Sequence, residues 1–325
     1  VGWSMPVMFV GSSFRGVLEA AQRFDLVNAV KVPVNILFYG LPLLGTAMGF
    51  KLPGIVGLLV LSRALALAAW GAMSLRVLPA LRTKPVLRGE LVRPLVSFGG
   101  WLGLSGILYA ATTSLDRLVI GSLLTVEAVA FYSAPYEAIN RIGVVPGSLS
   151  MVLFPAFSFL DGGGHAERTE SLFARSTKFL LLSTGPVFIL LAFFARDLLR
   201  LWLGPEFAAH SAFVVVVLAA GFLVNTVVAV PNNYLMGIGR VEIAPKYQAF
   251  ELVAFTGLTW AGAKLWGIKG VAGATALRLI AFSVFLMAAS FRPGRIRFGF
   301  VWRNGLAGVL AGLALFAAGL AANAA

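Results

Sequence analysis

The 325-residue sequence contains no cysteine. That removes disulfides, thiolate metal sites and a cysteine nucleophile from consideration. It has only two histidines, His165 and His210, both expected in loops, so a histidine-based catalytic or metal cluster is not expected. Charge is scarce as well: 12% of residues are charged, against about 25% in an ordinary soluble domain. Long polar stretches are missing, and no loop reads as large enough to hold a catalytic domain. What fills the chain is apolar: 59% hydrophobic residues and a mean hydropathy of +0.90. The apolar runs are continuous rather than alternating, which excludes a transmembrane barrel and predicts an all-α polytopic membrane protein.

About ten spanning segments are predicted, at 1–21, 26–49, 53–78, 95–121, 126–158, 172–195, 208–236, 243–265, 268–291 and 301–322. The fifth is too long for one straight helix, and Pro135, Pro146 and Pro155 are expected to bend or end it. Basic residues crowd the loops after the odd-numbered segments, for example Arg82, Lys84, Arg88 and Arg93 after the third and Arg292, Arg295, Arg297 and Arg303 after the ninth. The other loops hold few, such as Lys51, Arg196, Arg200 and Lys264. This bias assigns the first set to the cytoplasm and accounts for most of the net charge of +13, with no need for nucleic acid as a partner. Trp101, Trp202, Trp266 and Trp302 fall near segment ends, where interfacial aromatics are expected.

The sequence repeats itself. Leu18 to Asp25 (LEAAQRFD) aligns with Leu235 to Glu242 (LMGIGRVE) at a spacing of 217, and Gly54 and Gly57 align with Gly270 and Gly273 at 216. Arg63 and Arg278 follow at 215, each about ten residues, or about 15 Å, inside an apolar segment. A charge at that depth costs roughly 2.5–3.5 kcal/mol on insertion scales, so two at matching places point to use. The one-residue slip turns one arginine about 100° around its helix relative to the other. The repeat predicts a two-lobe, 6+6 parallel-repeat transporter with an extra C-terminal helix: residues 1–80 as the last three helices of the first lobe, 81–94 as a basic cytoplasmic linker, 95–292 as the second six-helix lobe, and 293–325 as the additional helix. About 120 residues, or three helices, are then expected upstream of Val1. Transporters built on parallel repeats bind substrate between lobes near the midplane.

Candidate cavity residues are Arg63, Arg278, Arg141 and Asn225. Arginine suits a phosphate because its planar fork bonds bidentately and stays charged. Glu137 lies one turn before Arg141 and can pair with it, so that pair reads equally as an internal ion pair. Asp116-Arg117 reads as either a gating pair or an interfacial anchor. Glu251 and Gln248 lie on the inner half of their segment. No catalytic residue, metal ligand or cofactor is assigned.

Leu115-Asp116-Arg117-Leu118-Val119-Ile120-Gly121, then Ala130 to Glu137 (AFYSAPYE), Pro146-Gly147-Ser148-Leu149 and Leu153 to Ser158 (LFPAFS) carry a family resemblance. So do Arg15 to Asp25 and Leu201 to Phe207 (LWLGPEF). The chain resembles the polysaccharide-transporter branch of the multidrug/oligosaccharidyl-lipid/polysaccharide exporter superfamily. The resemblance implies a multi-pass flippase of the bacterial inner membrane. It would carry undecaprenyl-pyrophosphate-linked oligosaccharide, for O-antigen, capsule or exopolysaccharide, from the cytoplasmic to the periplasmic leaflet by alternating access. Coupling to protons or sodium is implied, with Glu137, Asp116 and Glu251 as the acids to test. Other polysaccharide-assembly membrane proteins are implied as partners. The rival readings are a lipid II or drug exporter of the same fold, and a membrane-embedded polymerase or glycosyltransferase.

Overall fold

A computed structural model describes residues 5–21, 23–82, 89–293 and 296–324. Every regular element it describes is helical. The chain divides into two compact units, Val1–Glu90 and Leu91–Ala325. Of the expected basic linker, residues 83–88 lie outside the described residues, as do Gly294 and Arg295.

The first unit is a three-helix layer. Helix α1 (Met5–Ala20) and α2 (Phe24–Ala47) pack on α3 (Leu52–Val77). Leu18, Val27, Val30 and Trp70 form the buried centre, and Ser74 of α3 donates to the Phe14 carbonyl of α1 at 2.7 Å. Helices in lipid gain little from hydrophobic burial against each other, so close packing and such polar bridges carry the association. The α2–α3 turn is made at Gly49, whose φ of +76° a side chain would disfavour.

The second unit starts with α4 (Gly89–Leu123). The long fifth segment is two helices, α5 (Val126–Asn140) and α6 (Val144–Gly162), joined by a 3-10 turn at Arg141–Gly143. The break falls between the prolines rather than on one. Pro135 and Pro155 sit inside helices, and Pro146 lies in the first turn of α6, where its missing N–H has no partner to lose. Helix α7 (Ala166–Phe193) is followed by the short α8 (Ala195–Leu203), then α9 (Pro205–Asn225) and α10 (Ala229–Gly237) in near continuity. His210 lies on α9, not in a loop; its ring stacks on Phe131 at 4.7 Å.

Helix α11 (Ile243–Phe291) is a hairpin rather than a rod. Gly267 breaks it with φ 58° and ψ −140°, a conformation open only to glycine. Contacts across the break run in antiparallel register. Tyr247 stacks on Phe285 at 4.2 Å, Arg278 lies over Phe255, and a Cβ on Gly262 would reach the Gly270 carbonyl at 2.8 Å. The two arms are therefore 243–266 and 268–291, close to the segments expected. The second arm also meets α9 closely, since a Cβ on Gly221 would lie 2.7 Å from the Ala276 Cα. The chain ends with α12 (Phe298–Val301), a π-helical turn at Trp302–Leu306 and α13 (Ala307–Ala324).

By length and apolarity seven helices among the described residues can cross a membrane, or eight with the bent pair Phe298–Asn304 and Ala307–Ala318. The count of about ten is not reached on that criterion. It took both α11 arms as separate spans and included α1, which has 16 helical residues. The multi-pass all-α class stands.

Two buried clusters organise the second unit. One, around Ile120, Tyr132, Tyr136, Leu218 and Val271, joins the end of α4 to α5, α9 and the Gly267 end of α11. The other, around Phe157, Phe173, Tyr234 and Leu286, joins α6, α7, α10 and the opposite end of α11.

Candidate functional site

Two polar regions stand out, one in each unit. In the first unit, α1, α2 and α3 enclose a groove of about 410 Å³. Arg15, Lys31 and Arg63 contribute three cations to its wall, and Ser12, Asn35 and Ser62 add hydrogen-bonding groups. Trp70, Phe38 and Tyr39 supply aromatic surface, with the Arg63 guanidinium 5.9 Å from the Phe38 ring centre. Arg15 is tied to Glu19 one turn on, at 3.0 Å. A groove with excess positive charge, neutral donors and flat rings has the chemistry to hold an anion that carries sugars.

The second unit holds a buried polar cluster. Thr125 caps α5, its hydroxyl accepting from the Ala128 N–H at 3.1 Å, with Glu127 in the first turn suited to the helix dipole. Tyr132, Tyr136 and Ile139 then share one face of α5 and are buried. Asp116 of α4, only 2% exposed, accepts from the Tyr132 hydroxyl at 2.7 Å. The same hydroxyl meets the Thr275 Oγ1, on the second arm of α11, at 2.8 Å. One residue on, and so about 100° around α4, Arg117 points to the flank of α5. There it pairs with Glu137 and lies over the Tyr136 ring at 5.5 Å.

Arg278 is one turn beyond Thr275 and is 9% exposed. Its guanidinium sits 5.0 Å from the Phe255 ring centre, a contact worth roughly 2 kcal/mol when desolvated. It lies within electrostatic range of Glu251, Asp116 and Tyr136. Glu251 is also buried, and among the described residues its Oε1 has no hydrogen-bond partner. Gln248, one turn away, accepts from Ser105 of α4 at 2.7 Å.

The expected residues therefore separate. Arg63 lines the groove. Arg278, its sequence counterpart, is in the interior of the second unit with Asp116 and Glu251. Arg141 does not pair with Glu137: it ends α5 in an exposed 3-10 turn, and Glu137 is taken by Arg117 from the neighbouring helix. The Asp116 and Arg117 side chains go to different partners, Tyr132 and Glu137, while the Arg117 backbone N–H donates to Asp116 Oδ1 at 3.1 Å. Asn225 is a tether, its Nδ2 reaching the Leu279 carbonyl at 3.5 Å and Ser283 at 3.4 Å. Sequence reasoning passed over Tyr132 and Thr275 at the cluster, and Lys31 and Asn35 at the groove. Tyr132 stood in the AFYSAPYE stretch, four residues before another tyrosine, which was the available signal. Among the described residues no group of three or more acidic or histidine side chains could hold a metal ion.

Residues 23–212 match the family model described as "Polysaccharide biosynthesis protein". The chain belongs to the polysaccharide biosynthesis protein family. That match spans the α2–α3 hairpin with Arg63 and reaches the start of α9, so it includes Asp116, Arg117, Tyr132 and Glu137. A Shigella flexneri protein described as "Putative O-antigen transporter" is 23% identical over 293 residues, covering 87% of this chain. The chain spans 66% of that relative's length. In fold the family member is similar to the Vibrio cholerae MATE transporter VcmN in its bent form, with a TM-score of 0.74 at 17% identity, over 91% of this chain and 70% of that one. The polysaccharide-transporter resemblance read from residues 115–158 stands with these matches.

Proposed function

We propose that this member of the family is a flippase of the bacterial inner membrane. It moves undecaprenyl-pyrophosphate-linked oligosaccharide repeat units from the cytoplasmic to the periplasmic leaflet by alternating access. The observation that carries the proposal is the groove of Arg15, Lys31 and Arg63 in a chain of this family. Arg63 supplies a fork for phosphate oxygens and Lys31 a mobile point charge. Asn35, Ser12 and Ser62 offer partners to sugar hydroxyls, and Trp70 a face for a sugar ring. The lipid tail stays in the bilayer, so the protein binds only the charged and polar part. The S. flexneri relative supports the transport class, and a wall whose charged residues are all basic favours an anionic cargo over the cationic drugs of a multidrug exporter.

The buried cluster of the second unit is the coupling element of this reading. Asp116 and Glu251 are buried carboxyl groups within electrostatic range of one arginine, Arg278, and can take up a proton or a sodium ion as their surroundings change. Arg117 and Glu137 bridge α4 to α5, where a change at Asp116 is passed to the flank of the bundle. Arg278 acts inside this cluster rather than on the cargo. No cofactor takes part. The other membrane proteins of polysaccharide assembly are its partners.

A strain lacking the gene, complemented with the full-length protein, tests the proposal. Wild type restores surface polysaccharide. Arg63→Ala at normal membrane abundance loses it, whereas Arg141→Ala keeps it. Full surface polysaccharide with both Arg63→Ala and Lys31→Ala overturns the groove as the cargo site.

A further inference from the structure

A second cationic site lies on the outside of the second unit, away from the polar cluster. Helices α7 and α13 run side by side. Leu181 packs with Val309 and Leu313, and a Cβ on Gly185 would meet the Leu313 side chain at 2.7 Å. The approach of Gly185 to Leu313, with Lys178 preceding the one and Arg303 the other and both lining the same groove, makes the two helices parallel. Each changes character at one cation. From Phe179 to Ala195 α7 and its C-terminal flank carry no charge, and after Arg303 the chain carries none to its end. Lys178 and Arg303 therefore mark one polar–apolar boundary on both helices.

Between the helices is a groove of about 520 Å³. Lys178, Arg303 and Asn304 lie at its polar end. Beyond them its wall is Leu182, Pro186, Val309 and Phe316, with Gly308 and Gly312 leaving open space where side chains would stand. An adjoining recess of about 350 Å³ also borders on Arg303 and Asn304. The nearby Arg297 is already neutralised, because Glu170 accepts from its backbone N–H at 2.7 Å and from its Nη2 at 2.9 Å. Among the described residues Lys178 and Arg303 have no hydrogen-bond or ion-pair partner. Two uncompensated cations above an open apolar trough match one amphiphile: a phosphate at headgroup depth with acyl chains along the helices.

We propose that the α7–α13 groove binds an anionic phospholipid, its phosphate held by Lys178 and Arg303 and its acyl chains lying over Gly308 and Gly312. The site pins α13 to the bundle through a lipid and makes the protein's stability depend on anionic lipid in the leaflet at this end.

Native mass spectrometry of the full-length protein tests this, with palmitoyl-oleoyl phosphatidylglycerol and phosphatidylcholine offered at equal concentration. Wild type retains phosphatidylglycerol about tenfold over phosphatidylcholine, as an interaction of about 1.4 kcal/mol requires. Lys178→Gln with Arg303→Gln removes the preference, and Lys178→Arg keeps it. Gly308→Leu with Gly312→Leu lowers retention of both lipids. Equal retention of the two lipids by wild type, or an undiminished preference in the double Gln variant, overturns the proposal. Displacement of phosphatidylglycerol by an equal concentration of inorganic phosphate overturns it too, by showing an ion site without a lipid. Loss of surface polysaccharide is not read in this experiment, so failure here is separate from failure of the flippase reading.

Discussion

The α2–α3 hairpin of the first unit and the α11 hairpin of the second are built alike and used differently. Each turns at a glycine with positive φ, Gly49 at +76° and Gly267 at +58°. Each is preceded by the same helix ending, in which the Arg23 N–H reaches the Leu18 carbonyl at 3.0 Å and the Arg240 N–H reaches Leu235 at 2.8 Å. Each carries an arginine on its second arm. Yet Arg63 lines an open groove among other cations, and Arg278 is buried over Phe255, within electrostatic range of Glu251 and Asp116. The two hairpins share a backbone plan, while the side chains around the two arginines differ. The two arginines meet different surroundings, a groove wall and a core.

The comparison breaks most severely at the arginines themselves. Arg278→Met removes the buried positive charge that acts on Glu251 and Asp116 and its seat over Phe255, and is expected to cost about 2–3 kcal/mol. Thermal unfolding of the purified protein in detergent reads this as a large fall in midpoint, which Glu251→Gln in the same chain partly restores. Arg63→Met moves the same midpoint little. Equal shifts would mean that the two positions are equivalent after all.

Next come the matched glycines. On Gly270 a Cβ would run into the backbone of Gly262, which cannot swing aside, whereas on Gly54 it would meet the Phe50 side chain at 3.2 Å. Gly270→Ala should cost about 1–3 kcal/mol and Gly54→Ala within about 0.5 kcal/mol, again by unfolding midpoint. A reversed order would show that the first hairpin is the tighter one.

The smallest effects are expected at the interhelical serines. Ser74 bridges α3 to α1 in the first unit, and Ser105 bridges α4 to Gln248 in the second. Alanine at either should cost about 0.6 kcal/mol. A much larger loss at Ser105 would show that the Gln248–Glu251 face depends on that bridge.

Much of the fold was legible because the bilayer enforces simple rules. Apolar runs placed most of the helices, and the gap expected between 243–265 and 268–291 falls on Gly267, where the chain reverses. The site was less legible, because helix contacts in a bundle are not local. Glu137 was placed to pair with Arg141 one turn on, as one of two readings, but α4 delivers Arg117 from twenty positions upstream. Asp116 and Arg117 read as a gating pair or an interfacial anchor, yet adjacent positions on a helix separate side chains by about 100°. Nothing in the residues around Thr275 announces that it would meet Tyr132. Arg63 stood out because a charge in an apolar run is conspicuous; Lys31 and Asn35, on the neighbouring helix, did not, because the groove exists only once α1, α2 and α3 pack together.

The central claim is that the groove around Arg63 holds the charged part of a lipid-linked oligosaccharide during transport. Proteoliposomes containing the full-length protein and undecaprenyl-pyrophosphate-linked oligosaccharide, with outward exposure of the sugar followed in time, measure it directly. Charged hydrogen bonds are worth about 1.5–3 kcal/mol, so Arg63→Ala should slow transfer by about tenfold or more with the unfolding midpoint unchanged. Transfer at the wild-type rate in Arg63→Ala would contradict the account.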